Sequence, residues 1–326
     1  MEKYGKEPKA ETVIYDSIII GAGTAGITSA VYLRRAGKTV LIFEKQAVGG
    51  QIVFSHKIEN YPGIKSISGG DYADALYEQA SALGAELAFK AVTDLSVCPS
   101  KSGIDKPGIF KITADGKEYF AKSVVIAAGL RHKKLGLPEE SALAGLGVSY
   151  CALCDGAFFK NQTAAVVGGG NTALSDALFL SSVCKKVYLI HRRGTFRGEE
   201  RLVKSLSHKP NVEFILHSEV KELSGGQSLT AIRIFNNNSG EYSELKTDAL
   251  FVAIGQKPSN SCFGGLVGLD DDGFIITQQA CNTKTDGLFA AGDCRQKQIR
   301  QLVTAAADGA IAAVGVVEYL NRLDGD

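Results

Sequence analysis

The feature that most limits how this chain can fold is a unit that occurs twice: a β-type run, a glycine-rich turn, a helical pattern and a second β-type run. In the first copy, Tyr15 to Ile20 enters Gly21-Ala22-Gly23-Thr24-Ala25-Gly26, a helical pattern continues to Arg35, and Thr39 to Phe43 closes on Glu44. In the second, Asn161 to Val167 enters Gly168-Gly169-Gly170-Asn171-Thr172-Ala173, a helix runs to Ser182, and Lys186 to Ile190 closes on His191. Superposed without a gap, Gly21 falls on Gly168, Gly23 on Gly170, Gly26 on Ala173 and Glu44 on His191. Strand, turn, helix and strand in this order make a βαβ unit. Two copies predict an α/β chain with two Rossmann-like three-layer dinucleotide-binding domains, each with its own nucleotide site.

The 326 residues suffice for two such domains. Two further buried-strand runs, Ser123 to Ala128 and Asp248 to Ile254, end at Gly129 and Gly255 and are followed by polar stretches. They read as crossings between the domains. The second domain, 133–258, is therefore expected as an insertion in a first domain built from 1–132 and 259–326. Two short crossings bend more easily than one packed interface, so the domains are expected to turn about them.

Each turn has a chemical reading. Gly21 permits the tight turn, Gly23 lets a diphosphate approach the backbone, and Gly26 lets helix and strand pack closely. The phosphates then meet the free N–H groups of a helix start, where negative charge is favoured. Thr24 and Ala25 lie in this turn, and Glu44 ends the second strand, where a carboxylate accepts from a ribose 2′-hydroxyl and repels a 2′-phosphate. This site suits FAD or NAD. In the second copy, Gly168, Gly170, Asn171, Thr172 and Ala173 form the turn, and the acid is replaced by His191, followed by Arg192, Arg193 and Arg197. Guanidinium groups there pair with a 2′-phosphate, so the second site is expected to take NADPH and the first FAD. A solvated basic loop is the plainer alternative.

Composition removes several classes. Lys and Arg number 36 against 35 Asp and Glu, a formal charge of +1, which argues against nucleic-acid binding. No apolar stretch is expected to span a bilayer, because the longest candidate, Leu302 to Val317, is interrupted by Asp308. Met1 to Glu11 is charged and does not read as a secretory signal. Of the seven cysteines only Cys151 and Cys154 are close in sequence, which argues for a cytoplasmic protein with one special pair and not for a disulfide scaffold.

That pair sits in Tyr150-Cys151-Ala152-Leu153-Cys154-Asp155, just before the second unit. At a helix start this spacing places both sulfurs on one face near the positive dipole end, which lowers thiol pKa. Such a pair can close a disulfide and reopen it by thiolate exchange, with Asp155 placed to handle the proton. A structural zinc site would need four ligands and there is no second pair, so no metal is expected. Two inert core thiols remain the other alternative.

Taken together and in order, these motifs closely resemble the low-molecular-weight thioredoxin reductases, from about Asp16 to Leu320. The resemblance also rests on Gly49-Gly50-Gln51, Glu59-Asn60-Tyr61-Pro62-Gly63, and Gly292-Asp293 followed by Arg300-Gln301. It implies a homodimeric FAD enzyme passing electrons from NADPH to thioredoxin, with no membrane partner. By the same likeness Gly50, Gln51, Asn60, Asp293, Arg300 and Gln301 would contact the flavin cofactor. Cys154 would be the sulfur facing the flavin, Cys151 the one exposed to thioredoxin, and Asp155 the acid. The candidate cofactor contacts are completed by Lys45, Val92, Gly129, Gly292, Ile254 and Gly255. Leu153, Ala128, Cys294 and Ala157 depart from the commonest family pattern, and Ala157 leaves Phe158 and Phe159 as the apolar contact for thioredoxin. The nearest alternatives are a flavin dithiol oxidase or a ferredoxin-fed reductase on the same fold, a reductase serving a glutaredoxin-like or peroxidase partner, and a flavoprotein sensor without disulfide turnover.

Overall fold

A computed structural model describes residues 13–55, 57–98 and 108–325. The expectation about Met1 to Glu11 lies outside the described residues. The chain divides into two compact units, one comprising Met1–Val53, Tyr61–Arg131 and Lys257–Asp326, the other Phe54–Asn60 and His132–Gln256. The segment Phe54–Asn60 thus groups with the second unit, whereas the sequence reading kept it with the first.

The first unit opens with β1 (Ile14–Ile20), α1 (Thr24–Arg35), β2 (Val40–Glu44), α2 (Gly69–Ala82), β3 (Glu86–Phe89), β4 (Val92–Val97), β5 (Phe110–Ala114) and β6 (Lys117–Ile126). Their sheet order is β3-β2-β1-β6-β5-β4. β1 lies parallel between β2 and β6, with Ile18 opposite Leu41 on one side and Val124 on the other. α1 ends with Arg34 and Arg35, which complement the negative end of its dipole. α2 starts on Ser68, whose hydroxyl accepts from Asp71 N–H (3.1 Å) as an N-cap.

A short strand, β7 (Leu130–His132), leads out. The second unit contains β8 (Val148–Ser149), α3 (Ala152–Asp155), β9 (Thr163–Val167), α4 (Asn171–Ser181), β10 (Lys186–Ile190), α5 (Glu200–Ser207) and β11 (Val212–Ile215). It continues with β12 (Ser218–Gly225), β13 (Leu229–Asn236), β14 (Tyr242–Lys246) and β15 (Ala249–Val252). The order β11-β10-β9-β15-β8 is parallel throughout. Alternate residues of its strands serve opposite faces, as strand geometry requires. Ala164, Val166, Val187, Leu189 and Phe251 pack against Leu174, Ala177 and Leu180 of α4 and Leu206 of α5. Ala165, Val167, Ile190, Leu250 and Val252 pack against Val220, Leu223, Ile232 and Ile234 of the antiparallel ribbon β12-β13-β14. Helices, sheet and ribbon make the three layers.

The chain returns through β16 (Gln256–Pro258), which pairs with β7, so the outgoing and returning segments run side by side. A small hairpin, β17 (Gly268–Leu269) and β18 (Ile275–Ile276), precedes β19 (Leu288–Ala290), which lies parallel to the end of β6. β6 is ten residues long and serves β5 with its first half and β19 with its last.

The final helix, α6 (Leu302–Asp324), has 23 residues. By length and composition it is apolar enough to cross a membrane, contrary to the expectation that no such stretch exists. Its packing is that of a core helix. Ala312, Ala313, Val316, Tyr319 and Leu320 join Ile27, Val31, Leu33 and Ile42 in one buried cluster. A methyl on Gly309 would strike the carbonyl oxygen of Ala25, so the close approach of α6 to α1 depends on glycine there.

Candidate functional site

The glycines of the first turn separate into two kinds. Gly21 has φ +110°, and a Cβ there would strike the carbonyl oxygen of Ala127; one on Gly26 would strike the carbonyl oxygen of Gly21. The fold itself requires both. Gly23, the N-cap of α1, has ordinary extended geometry (φ −77°, ψ −179°), and a Cβ there would meet only Gly49 O at 3.9 Å. Packing gives no reason for glycine at 23, whereas a ligand lying on the helix start does. Thr24 and Ala25 are buried in the first turn of α1. Glu44 faces this turn from the end of β2, accepting from Ala22 N–H (3.0 Å) and Gln46 N–H (2.8 Å). Lys45 follows it, exposed. Gly49 N–H donates to Ala22 O (2.7 Å), so the loop carrying Gly50 and exposed Gln51 crosses beside the turn.

A second edge of the first unit carries Gly292 and Asp293. Gly292 has φ +79° and lies against Ala25, where an added Cβ would come within 2.8 Å of the Ala25 methyl. Asp293 Oδ1 is buried with no hydrogen-bond partner among the described residues, and so is Arg300 Nε. Burial raises the Asp293 pKa, while Lys297 and Arg300 pull it down. The Arg300 guanidinium stacks on the Phe274 ring at 4.1 Å. Gln301 caps α6 in a capping box with Thr304. A buried acceptor lacking a donor, next to Gly292 where the backbone packs on Ala25 of the first turn, fits a polyhydroxylated diphosphate such as FAD. Gly129 (φ +62°) has open space around it, while Val92 packs into the core on the far face of the sheet. Asn60 groups with the other unit.

The second turn repeats the division. A Cβ on Gly168 would strike Ala253 O and lie 2.7 Å from the Ala173 methyl, whereas one on Gly170, the N-cap of α4, would meet nothing within 4 Å. Asn171 and Thr172 are exposed at the helix start, and Ala173 is buried under it. Asn171 Oδ1 accepts from Glu199 N–H (2.7 Å), while Arg197 N–H donates to Gly169 O (2.7 Å). These bonds hold the loop 192–199 against the turn. Arg192, Arg193 and Arg197 are exposed there, and no ion pair among the described residues engages them. His191 differs from the sequence expectation. It is 7% exposed, its ring stacks on Phe196 (centroids 5.3 Å apart), and it fills the space that a side chain at Gly169 would need. Burial, with three nearby arginines, lowers its pKa, and the ring shapes the turn from beneath. Ile254 packs in the ribbon-side core, and Gly255 (φ +118°) accepts from Lys133 N–H (3.0 Å).

Cys151 and Cys154 are joined in a disulfide, with Cα atoms 5.3 Å apart. Cys151 is the N-cap of α3, its Sγ accepting from Cys154 N–H (3.2 Å). α3 has four residues, so the dipole that the sequence reading invoked comes from one turn only. Both sulfur-bearing residues are part-exposed, and Leu153 between them is 55% exposed. A methyl on Gly156 would strike Phe179 and Leu180, so glycine lets α3 seat against α4.

Asp155 Oδ2 accepts from Ser149 Oγ–H (2.6 Å), and the same Ser149 oxygen accepts from Cys151 N–H (3.1 Å). Ser149 thus ties the acid to the first cysteine. Sequence reasoning missed it because a serine two residues before a cysteine carries no signal; the sheet pairing of β8 with β15 is what aims it. No cluster of three or more His, Cys, Asp or Glu able to hold a metal occurs among the described residues.

Two dinucleotide-type turns, one in each unit, and a part-exposed disulfide in the same unit as the second define an oxidoreductase that works between a nucleotide and a thiol pair. The pyridine nucleotide-disulphide oxidoreductase family profile matches residues 15–309, and the chain belongs to that family. It is 40% identical over 315 residues to a thioredoxin reductase of Bacillus subtilis, covering 96% of this chain and 97% of that protein. It is 38% identical over 316 residues to a bifunctional thioredoxin reductase/thioredoxin of Mycobacterium leprae, covering 96% of this chain and 67% of that protein. Among solved structures, a thioredoxin reductase from Streptococcus pyogenes matches with a TM-score of 0.89 at 37% identity, covering 96% of this chain and 100% of the other. The resemblance carried by the ordered motifs therefore extends over nearly the whole chain.

Proposed function

We propose that this protein is an NADPH-dependent, FAD-containing thioredoxin reductase. The observation that carries the reading is the Cys151–Cys154 disulfide, part-exposed, in the same unit as a nucleotide turn flanked by three unpaired arginines. Gly21, Gly23 and Gly26 with Glu44 would hold the FAD diphosphate and ribose, Asp293 Oδ1 would accept from a cofactor hydroxyl, and Arg300 and Gln301 would flank the ring. Gly168 to Ala173 would receive the NADPH diphosphate, with Arg192, Arg193 and Arg197 on the 2′-phosphate. FAD, when bound, accepts two electrons from a nicotinamide and delivers them to a disulfide.

The chain's own part is to present and protonate the sulfurs. Reduction of the disulfide takes up two electrons and two protons and opens the S–S bond. Cys154 faces the electron source, and Cys151 leaves as the thiolate. Asp155, held by Ser149, handles the proton. Cys151 then attacks the partner's disulfide, and Cys154 resolves the mixed disulfide, releasing the partner as a dithiol. Because one cysteine pair must meet both the flavin and the partner protein, the second unit would rotate on the paired crossing strands β7 and β16 between half-reactions.

Thioredoxin as acceptor is supported by the names of the relatives, including the fused reductase/thioredoxin. A homodimer is supported by the outward apolar residues of α6, Val303, Ile311 and Val314, which are 41–50% exposed. A cytoplasmic location is supported by the free thiols of Cys98, Cys184, Cys262, Cys281 and Cys294 among the described residues.

The decisive experiment is anaerobic titration of the yellow protein with NADPH, followed by oxidised thioredoxin. The flavin absorption should bleach with NADPH alone and return on adding thioredoxin. Failure to bleach without ferredoxin overturns the assignment. Cys154→Ser should leave bleaching intact and abolish thioredoxin reduction; residual turnover there refutes the role of the pair.

A further inference from the structure

Beneath the Gly292–Asp293 turn lies a cluster of charges that the nucleotide motifs do not include. Asp308 of α6 accepts from Arg295 Nη1 (2.8 Å) through Oδ1 and from Lys297 Nζ (2.7 Å) through Oδ2. The same Oδ2 accepts from the backbone N–H of Gly292 (3.1 Å). The three side chains are 9%, 15% and 11% exposed for Asp308, Arg295 and Lys297. Arg295 is fixed further by Thr277 Oγ1 (2.8 Å), and Lys297 by Thr304 O (3.3 Å).

Stability alone gives little reason for this arrangement. A buried ion pair contributes weakly to folding, because desolvation offsets most of the attraction. Here two cations share one carboxylate, so the trio carries one net positive charge; Lys297, with Arg300, also acts on the nearby Asp293 carboxyl. The one carboxylate oxygen that touches backbone touches the amide immediately before Asp293. Asp293 in turn has an unpartnered buried oxygen. The neighbouring Gly309 lies on the Ala25 carbonyl at the first dinucleotide turn, so α6 reaches both edges of the same site.

We propose that Asp308, Lys297 and Arg295 form a positioning device for the flavin: Asp308 fixes the Gly292–Asp293 turn, and the surplus positive charge of the trio favours negative charge arriving on the cofactor when it is reduced. This rests on the reading of the first site as the FAD site. The surplus raises the cofactor's reduction potential, because a nearby fixed charge in a low-dielectric surrounding stabilises the state of opposite sign.

The test is the flavin potential of the purified holoprotein, measured by equilibration with a reference dye. Asp308→Asn removes a negative charge with little change of shape and should raise the reduced-to-oxidised ratio at fixed poise about threefold or more. Lys297→Met removes a positive charge and should lower it comparably, a tenfold change being about 30 mV for a two-electron couple. Combining the two substitutions should restore a value near that of the parent. A merely structural role moves both single variants in the same direction or neither, and either result overturns the proposal. If Asp308→Asn does not fold, Lys297→Met and Lys297→Arg carry the test. The first should fall and the second should match the parent; equal potentials in both refute it. A parent protein that purifies colourless and does not take up FAD overturns the flavin reading itself, a different failure from an unmoved potential in a yellow variant.

Discussion

Replacing Gly170 by alanine separates what the fold needs from what the ligand needs. The backbone at 170 is extended (φ −99°, ψ −179°), a conformation alanine adopts freely, and its Cβ would meet nothing within 4 Å. Alanine is a poorer N-cap than glycine by about 1 kcal/mol at most. The stiffer unfolded chain returns about 0.4–1 kcal/mol. The melting temperature should therefore stay within about 3 °C of the parent. The methyl, however, occupies the space over the helix start where a diphosphate would rest. Losing one charge-assisted bond to a backbone N–H costs about 1.5–3 kcal/mol, which weakens NADP binding roughly ten- to a hundredfold. Calorimetric titration with NADP⁺ measures this, and the flavin spectrum reports that the first site is undisturbed. Gly168→Ala is the counterpart. Its methyl would strike Ala253 O and crowd Ala173, so it should destabilise the protein by about 1–3 kcal/mol or more. An unchanged NADP⁺ affinity in Gly170→Ala, or a fully stable Gly168→Ala, refutes the division of the turn into packing and ligand-facing glycines.

Further expectations concern the loop, the acid and a part-buried carboxylate. Arg192→Ala combined with Arg193→Ala should raise the KM for NADPH at least tenfold and that for NADH far less, since only the former has a 2′-phosphate to lose; equal rises would remove the specificity argument. Ser149→Ala takes away the donor to Asp155 and the acceptor of Cys151 N–H, and should slow reoxidation of the enzyme by thioredoxin about tenfold. Flavin reduction by NADPH, followed by stopped flow, should not change. Burial raises the Asp176 pKa from 3.8 to about 7, so the folded state binds a proton that the unfolded chain has already released. Stability should accordingly fall as pH rises from about 4 to about 7. Asp176→Asn should stabilise the protein at pH 8 by up to about 4 kcal/mol and have no effect below pH 4, as measured by urea denaturation.

The parts of this protein legible in its sequence are those set by local rules. β10 falls on Lys186–Ile190, where the apolar run places it, and the turns at Gly21 and Gly168 sit between strand and helix because glycine spacing and apolar periodicity are short-range properties. What was not legible depends on distant residues. The ribbon β12-β13-β14 was not anticipated, because its strands carry charged residues on the exposed side and its worth lies in covering the sheet. His191 aligns with Glu44 along the chain yet turns inward, since Phe196 offers its ring a stacking partner and Gly169 leaves it room. Asp308 reads as an interruption in an apolar helix; only folding brings Arg295 and Lys297 to it. Ser149 is placed beside Asp155 by the edge strand, which pattern reading does not see.

The long segment of the second unit, His132–Gln256, starts and finishes at one spot, since Lys133 N–H donates to Gly255 O at 3.0 Å. A segment whose entry and exit are a single bond apart can be lifted from its host as a cassette. Joining those ends with a short turn should yield a free-standing protein of somewhat under two fifths of the length, and the surrounding scaffold, closed over the gap, could accept a different cargo in its place.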